Sequence, residues 1–153
     1  MAYFTTVCAY RGAELFAQAV DGELHRTEAG DAVESCWAEI PSHFPSVGLD
    51  AFVVMPNHVH GIVILGTEEA APLPVVVGTF KSAAARLTNS VRRTPGAPVW
   101  QRGYYERIVR DEDELEAIRR YIVDNPAAWS ADPENPARTT IIASARGCRG
   151  RAC

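Results

Sequence analysis

Two apolar runs, Val47–Met55 and His58–Leu65, are separated only by Pro56 and Asn57. A parallel neighbour needs a crossover of a dozen or more residues, so strands joined this tightly must lie antiparallel. The second run opens on His58-Val59-His60. Successive side chains on a strand point to opposite faces, so both imidazoles share one face and Val59 takes the other. Two ring nitrogens placed in this way can grip one metal ion. Two half-exposed histidines of no special role would give the same pattern.

The flanking sequence supplies the rest of a small fold. Tyr3 to Tyr10, rich in aromatic and β-branched residues, reads as a strand, and Asp21-Gly22 has the chemistry of a hairpin turn. From Thr27 to about Phe44, Ala32, Val33, Cys36, Trp37 and Ile40 recur at spacings of three and four, which predicts a helix capped by Thr27 or Asp31 and ended by Pro45. A polar, proline-containing loop follows over residues 66–74. A second amphipathic helix is predicted from Val75 to about Arg93, carrying Val76, Phe80, Ala83, Ala84, Leu87 and Val91 on one side. The segment "TPGAP" breaks it, and Trp100 to Val109 reads as another strand.

The order strand, helix, strand, strand, helix, strand belongs to the α+β class. It is the ferredoxin-like βαββαβ pattern, an antiparallel sheet with both helices on one face. The first and third strands then lie in the middle, so the histidine strand is expected at the centre. One more helix follows. Asp111 and Glu114 resemble a capping box, Leu115, Ile118 and Ile122 form the apolar stripe, and Asn125-Pro126 is the stop. We expect a single domain over residues 1–130, with largely irregular chain from Ala127 and an Arg/Gly-rich tail over residues 131–153.

At 153 residues and 47% hydrophobic composition, the chain can bury a core without staples. It has no run of roughly 20 apolar residues and no signal-peptide pattern at its start, and its four cysteines form neither a CxxC zinc spacing nor a disulfide framework. A reduced, cytoplasmic protein is expected. The net charge of −4 conceals an asymmetry. Between Leu73 and Arg110, Lys81, Arg86, Arg92, Arg93, Arg102, Arg107 and Arg110 face a single acid, Glu106, leaving that segment at +6 and the rest at −10. A basic zone of this kind suits a phosphate backbone, although a solvated helix face followed by a strand would also produce it.

The final helix places Tyr121 and Asn125 four residues apart, on one helical face. A packing tyrosine and a C-terminal cap are one explanation, and a reactive phenol beside a ligand amide is another. Tyr104 and Tyr105 are rival phenols on the predicted last strand; they alternate in direction, so only one can reach the histidine face, and neither has a following amide in register. His25 and His43 read as surface residues.

Three stretches taken together, "MPNHVHGIVIL", "TFKSAAARL" and "VWQRGYYERIVRDEDELEAIRRYIVDNPAAW", resemble the IS200-like transposases of the HUH superfamily, and among them the REP-associated tyrosine transposases. The resemblance runs from about Tyr3 to Pro136. It implies that His58 and His60 are metal ligands, that Tyr121 is the nucleophile, and that Asn125 completes the metal site one helical turn later. Insertion-sequence relatives often have glutamine at that last position. A divalent cofactor, Mg²⁺ or Mn²⁺, is implied, together with single-stranded or hairpin DNA as substrate. The basic residues named above are the expected DNA contacts.

The implied reaction is nicking and rejoining of one DNA strand through a 5′-phosphotyrosine. The resemblance allows either a homodimer that exchanges the tyrosine helix or a monomer. Two other function classes fit parts of the pattern: a catalytically silent DNA-binding regulator of the same fold, and a hydrolase that uses the histidines with water. The first would not need to retain both histidines, the tyrosine and the amide. The second lacks a carboxylate base beside the histidines in sequence.

Overall fold

A computed structural model of the chain describes residues 1–66, 70–132 and 135. Along the chain the elements are β1 (Ala2–Cys8), β2 (Ala17–Val20), β3 (Glu23–Arg26), α1 (Glu28–Ala38), the one-turn α2 (Ile40–His43), β4 (Val47–Met55), β5 (His58–Leu65), α3 (Leu73–Arg92), β6 (Tyr105–Val109) and α4 (Glu112–Asp124). A 3-10 stretch, Pro126–Ala131, follows α4. Strands β4, β5, β1 and β6 form one antiparallel sheet in that spatial order, while β2 and β3 pair as a separate hairpin. This is the expected ferredoxin-like order, with the histidine strand β5 in the interior of the sheet.

Several boundaries differ from the sequence reading. The first strand ends at Cys8 and gives way to a 3-10 turn at Tyr10–Gly12. The first helix breaks at Glu39, and α2 starts again with Pro41 in its first turn. The last strand begins at Tyr105, with Trp100 contributing only an isolated bridge to Ala9. The Lys81 ammonium explains that late start, because it donates to the carbonyls of Gln101 at 2.8 Å and Gly103 at 2.7 Å, and Gly103 has φ of 73°. Those carbonyls are thereby held in a turn. The chain after Asn125 is also more regular than expected, since Pro126–Ala131 winds as a 3-10 helix with Trp129 buried. Most of the predicted tail lies outside the described residues. Cys36 is a free, buried thiol, whereas Cys8 is disulfide-bonded, contrary to the expectation of a chain without bridges; its partner lies outside the described residues.

Alternation along the strands divides the side chains between two layers. On one face Val7, Val59 and Val63 meet Val33 and Trp37 of α1 and Val76, Val77 and Phe80 of α3. Trp37 stacks on Phe52 at 4.6 Å between ring centroids and meets Phe80 edge-on at 5.4 Å. Its indole also covers Gly61, where an added Cβ would run into the ring. Neither ring can yield without disturbing the other. Gly61→Ala is therefore expected to destabilise the fold by roughly 1–3 kcal/mol, the usual cost of overpacking a core, and to lower the urea midpoint with little change in the slope.

The opposite face of the sheet carries α4. Ile118, Ile122 and Leu115 pack on Phe4, Ile62, Ile64, Ala51 and Val53. The Asp111 carboxylate caps the helix by accepting from the Glu114 amide at 2.8 Å, and Pro126 follows its C-cap Asn125. Arg119 fastens the helix to the sheet. Its Nε and Nη2 donate to Asp50 Oδ1 and Oδ2 at 2.9 and 2.7 Å, at the point where the β4 register slips between Leu49 and Phe52. The guanidinium holds the Asp50 carboxyl below its ordinary range. The helix that carries Tyr121 is therefore clamped over its own chain's sheet.

Candidate active site

His58 and His60 lie on the α4 face of β5, both buried, while Val59 enters the opposite core. Each imidazole is oriented through its Nδ1 atom. His58 Nδ1 is 2.8 Å from Asn57 Oδ1, and the Asn57 amide nitrogen faces the Gly12 carbonyl at 3.3 Å, which fixes the oxygen toward the ring. His60 Nδ1 is 2.9 Å from the hydroxyl of Thr6, its register partner on β1. The two Nε2 atoms stand 3.1 Å apart; with its Nδ1 donating to Asn57, His58 carries a lone pair on Nε2, and it accepts from His60 Nε2 when the Thr6 hydroxyl donates to His60 Nδ1. Burial holds His58 down to about 3 and His60 well below its ordinary value, so both rings are neutral. Neutral, paired and oriented through their far nitrogens, the rings have the form of metal ligands.

The rest of the site surrounds this pair. The Tyr121 ring lies 5.5 Å from the His60 ring and meets Phe4 edge-on at 6.1 Å, and Phe4 stacks on His60 at 5.3 Å. Tyr121 is 52% exposed, so its phenol is open to a large substrate. Asn125 is buried. Its amide nitrogen donates to the Tyr121 carbonyl at 3.1 Å, and its Oδ1 is buried with no hydrogen-bond partner among the described residues. A carbonyl oxygen left in that state suits a cation, as an unsatisfied buried acceptor is costly. No cluster of three His, Cys, Asp or Glu side chains arranged for a metal occurs among the described residues; the donor types that the candidate residues offer are two imidazoles and an amide oxygen.

The rival phenols separate as alternation requires. Tyr104 packs toward the α1/α3 core, and burial, reinforced by Glu106, pushes it up to about 12, which disfavours its phenolate. Tyr105 pairs with Thr6 on the histidine face and meets Phe4 edge-on at 6.4 Å. His25 and His43 are exposed, as expected.

The basic residues are not gathered into one surface. Lys81 is occupied with backbone carbonyls. Arg86 and Arg93 line an open pocket of about 540 Å³ with Asn89 and Ser90 on α3, and Arg92 is exposed nearby. That helix packs on the face of the sheet opposite to the histidines. Arg107 shares the histidine face and pairs with Glu114 at 3.4 Å, while Arg102 and Arg110 are exposed at either end of the β6 segment. Sequence reasoning did not identify Asn57, Thr6, Phe4, Asp50 or Asp132 as parts of this region. The strand pairing could have revealed Thr6, and the turn position before the histidines could have revealed Asn57. The others depend on tertiary contacts.

Comparison with known proteins adds to this geometry. The family model for IS200-like transposases matches residues 22–125, a span that holds both histidines, Tyr121 and Asn125. The chain belongs to the IS200-like transposase family. An uncharacterized protein of Haemophilus influenzae is 34% identical over 148 residues, covering 85% of this chain and 82% of that one. Among solved structures, a REP-associated tyrosine transposase bound to a REP hairpin superposes with a TM-score of 0.58 at 18% identity. That match covers 82% of this chain and 66% of the other, so this IS200-like chain spans about two thirds of its length. A Deinococcus radiodurans protein taken to be a transposase gives 0.53 at 22% identity, over 84% of this chain and 92% of that one. At these identities the two structures support the shared fold.

Proposed function

We propose that this protein nicks and rejoins single-stranded, hairpin-forming DNA with Tyr121 as nucleophile and a divalent ion, Mg²⁺ or Mn²⁺, held by His58, His60 and Asn125. One observation carries the reading: the Nε2 atoms of two buried imidazoles converge at 3.1 Å, and an exposed tyrosine of the same chain stands beside them. When bound, the ion supplies Lewis-acid polarisation of the scissile phosphate and neutralises charge that builds up in the transition state.

The remaining work falls to the chain. The α4 helix, clamped by Arg119 and Asp50, fixes the phenol over the sheet, so orientation is prepaid. Tyr121 Oη attacks phosphorus and gives up its proton to solvent. The bond from phosphorus to the 3′ oxygen breaks, and that oxygen takes up a proton to become a free hydroxyl. The product is a 5′-phosphotyrosine, whose bond energy lets the 3′ hydroxyl, or another one, reverse the step without a nucleotide triphosphate. Phe4 and Tyr105 offer rings near the phenol for stacking an unpaired base, and Arg107 offers charge on the same face. The complete set comes from one chain, so the reading needs no exchanged helix. The hairpin partner is suggested by the similar transposase solved with a REP hairpin.

The test is incubation with labelled single-stranded hairpin DNA and Mn²⁺, followed by a denaturing gel and mapping of any modified peptide. The expected result is a protein-linked DNA band with the adduct on the peptide containing Tyr121. Cleavage without an adduct would favour the hydrolase, and hairpin binding without cleavage would favour the silent regulator.

A further inference from the structure

A second site lies on α3, on the side of the sheet away from Tyr121. Arg86, Asn89, Ser90 and Arg93 follow one another at helical spacings of three and four, so they share one face of the helix. With Pro95 and Gly96 of the turn that follows, they line the open pocket of about 540 Å³. Its far wall is built in. Asn89 Nδ2 donates to the Ala97 carbonyl at 2.9 Å, and the Thr94 hydroxyl donates to Asn89 Oδ1 at 2.9 Å, which staples the turn back onto the helix. The helix closes at Arg93 in a left-handed conformation, φ 58°. Glycine is the usual residue at such a position, because it adopts left-handed angles without strain. The chain instead sets a guanidinium at the rim of the pocket.

The pocket is cationic with no acid of its own. No Asp or Glu occurs between Glu69 and Glu106, so neither α3 nor the turn supplies a carboxylate. Arg26, Arg107 and Arg119 each pair with a carboxylate, whereas Arg86, Arg92 and Arg93 are exposed and have no such partner among the described residues. The carbonyls of Asn89 and Ser90, which would oppose an anion at this end of the helix, already accept from the Thr94 amide at 2.9 Å and the Arg93 amide at 3.3 Å. Among the described residues no aromatic side chain lines the pocket. Unpaired bases are held on aromatic platforms, whereas a duplex turns its bases inward and presents phosphates, which cations and small polar donors grip. Seven residues rise about 10.5 Å along a helix axis, about three of the 3.4 Å steps between phosphates of one strand. Arg86 and Arg93 are thus spaced to follow one backbone.

We propose that this pocket holds the phosphate backbone of a duplex segment, the stem of the hairpin substrate, while the unpaired flank reaches Tyr121 on the other side of the sheet. The inference rests on the hairpin reading above and deepens it. The α3 side supplies affinity for the stem without reading its sequence, and the histidine side performs the chemistry. The stem and the scissile phosphate are then separated by unpaired nucleotides that pass an edge of the sheet.

Fluorescence anisotropy tests this with a labelled DNA hairpin bearing an unpaired flank, titrated with full-length protein in EDTA over a series of salt concentrations. Phosphate contacts carry no sequence information, so a stem of arbitrary sequence serves. A stemless strand of the same length is the control. Arg86→Gln and Arg93→Gly are each expected to weaken hairpin binding several-fold and to lower the slope of log Kd against log salt by about 1, and the double variant by about 2. Binding of the stemless strand is expected to stay near wild type. Arg93→Gly also relieves the left-handed strain, so its urea midpoint is expected to hold or rise while its hairpin affinity falls, a combination that a merely structural role would not give. Unchanged hairpin affinity and slope in both variants, or equal losses on the stemless strand, would overturn the assignment while leaving Tyr121 and the histidines as read. A wild type that binds no hairpin would remove both readings together.

Discussion

Tyr121→Phe is expected to abolish the covalent DNA adduct and to reduce strand cleavage by at least on the order of 10³-fold, while hairpin binding and the circular dichroism spectrum stay as in wild type. The asymmetry follows from the position of the ring. Phenylalanine keeps the edge contact with Phe4 and the approach to His60, so α4 has no packing reason to move. Tyr121 is also half exposed and outside the buried core, where such a substitution changes stability by about 0.5 kcal/mol or less. Only the oxygen is lost, and without it no phosphotyrosine can form. An adduct that survives in this variant would sink the nucleophile assignment. Tyr105 would then be the phenol to test, because it shares the histidine face whereas Tyr104 points into the opposite core.

Much of this arrangement was legible in the sequence because alternation and tight turns are local. The two-residue link at Pro56-Asn57 dictated an antiparallel pair, and period two sent His58 and His60 to one face and Val59 to the other. Helical spacing placed Tyr121 and Asn125 together, and the order of elements put β5 inside the sheet. Long-range facts were not legible. Nothing local says that α4 docks on the face opposite α1 and α3, since an apolar stripe of Leu115, Ile118 and Ile122 specifies burial but not a partner. The Asp50–Arg119 clamp joins residues 69 positions apart at an irregularity of β4. Asp132 lay in chain read as irregular, because Pro126 hides a 3-10 turn anchored by the buried Trp129. The run of basic residues misled in a different way. Charge along the chain does not show that Lys81 is tied to two carbonyls, or that α3 and Arg107 lie on opposite sides of the sheet.

Acid should unfold the metal-free protein earlier than its carboxylates alone would require. In the folded state burial holds His58 down to about 3 and His60 well below its ordinary value, whereas both bind a proton near pH 6.5 once unfolded. Between those limits the unfolded chain carries more protons than the folded one, so stability falls as pH falls. The histidine contribution is fully present above about pH 6.5 and is lost progressively below it, toward the folded values. Each histidine that stays neutral when folded adds a slope of about 1.4 kcal/mol per pH unit, so the pair approaches about 2.7 kcal/mol per unit before carboxylate protonation begins. Urea denaturation in EDTA at several pH values between 7 and 5 measures this slope directly. His58→Gln and His60→Gln are each expected to flatten it by about half, whatever they do to absolute stability, since glutamine takes up no proton in either state. A wild-type slope no steeper than that of the single variants would mean that the two imidazoles are protonated in the folded protein. Imidazoles that hold protons in this way would have no free nitrogen to offer a cation, and the reading of the pair as metal ligands would fail.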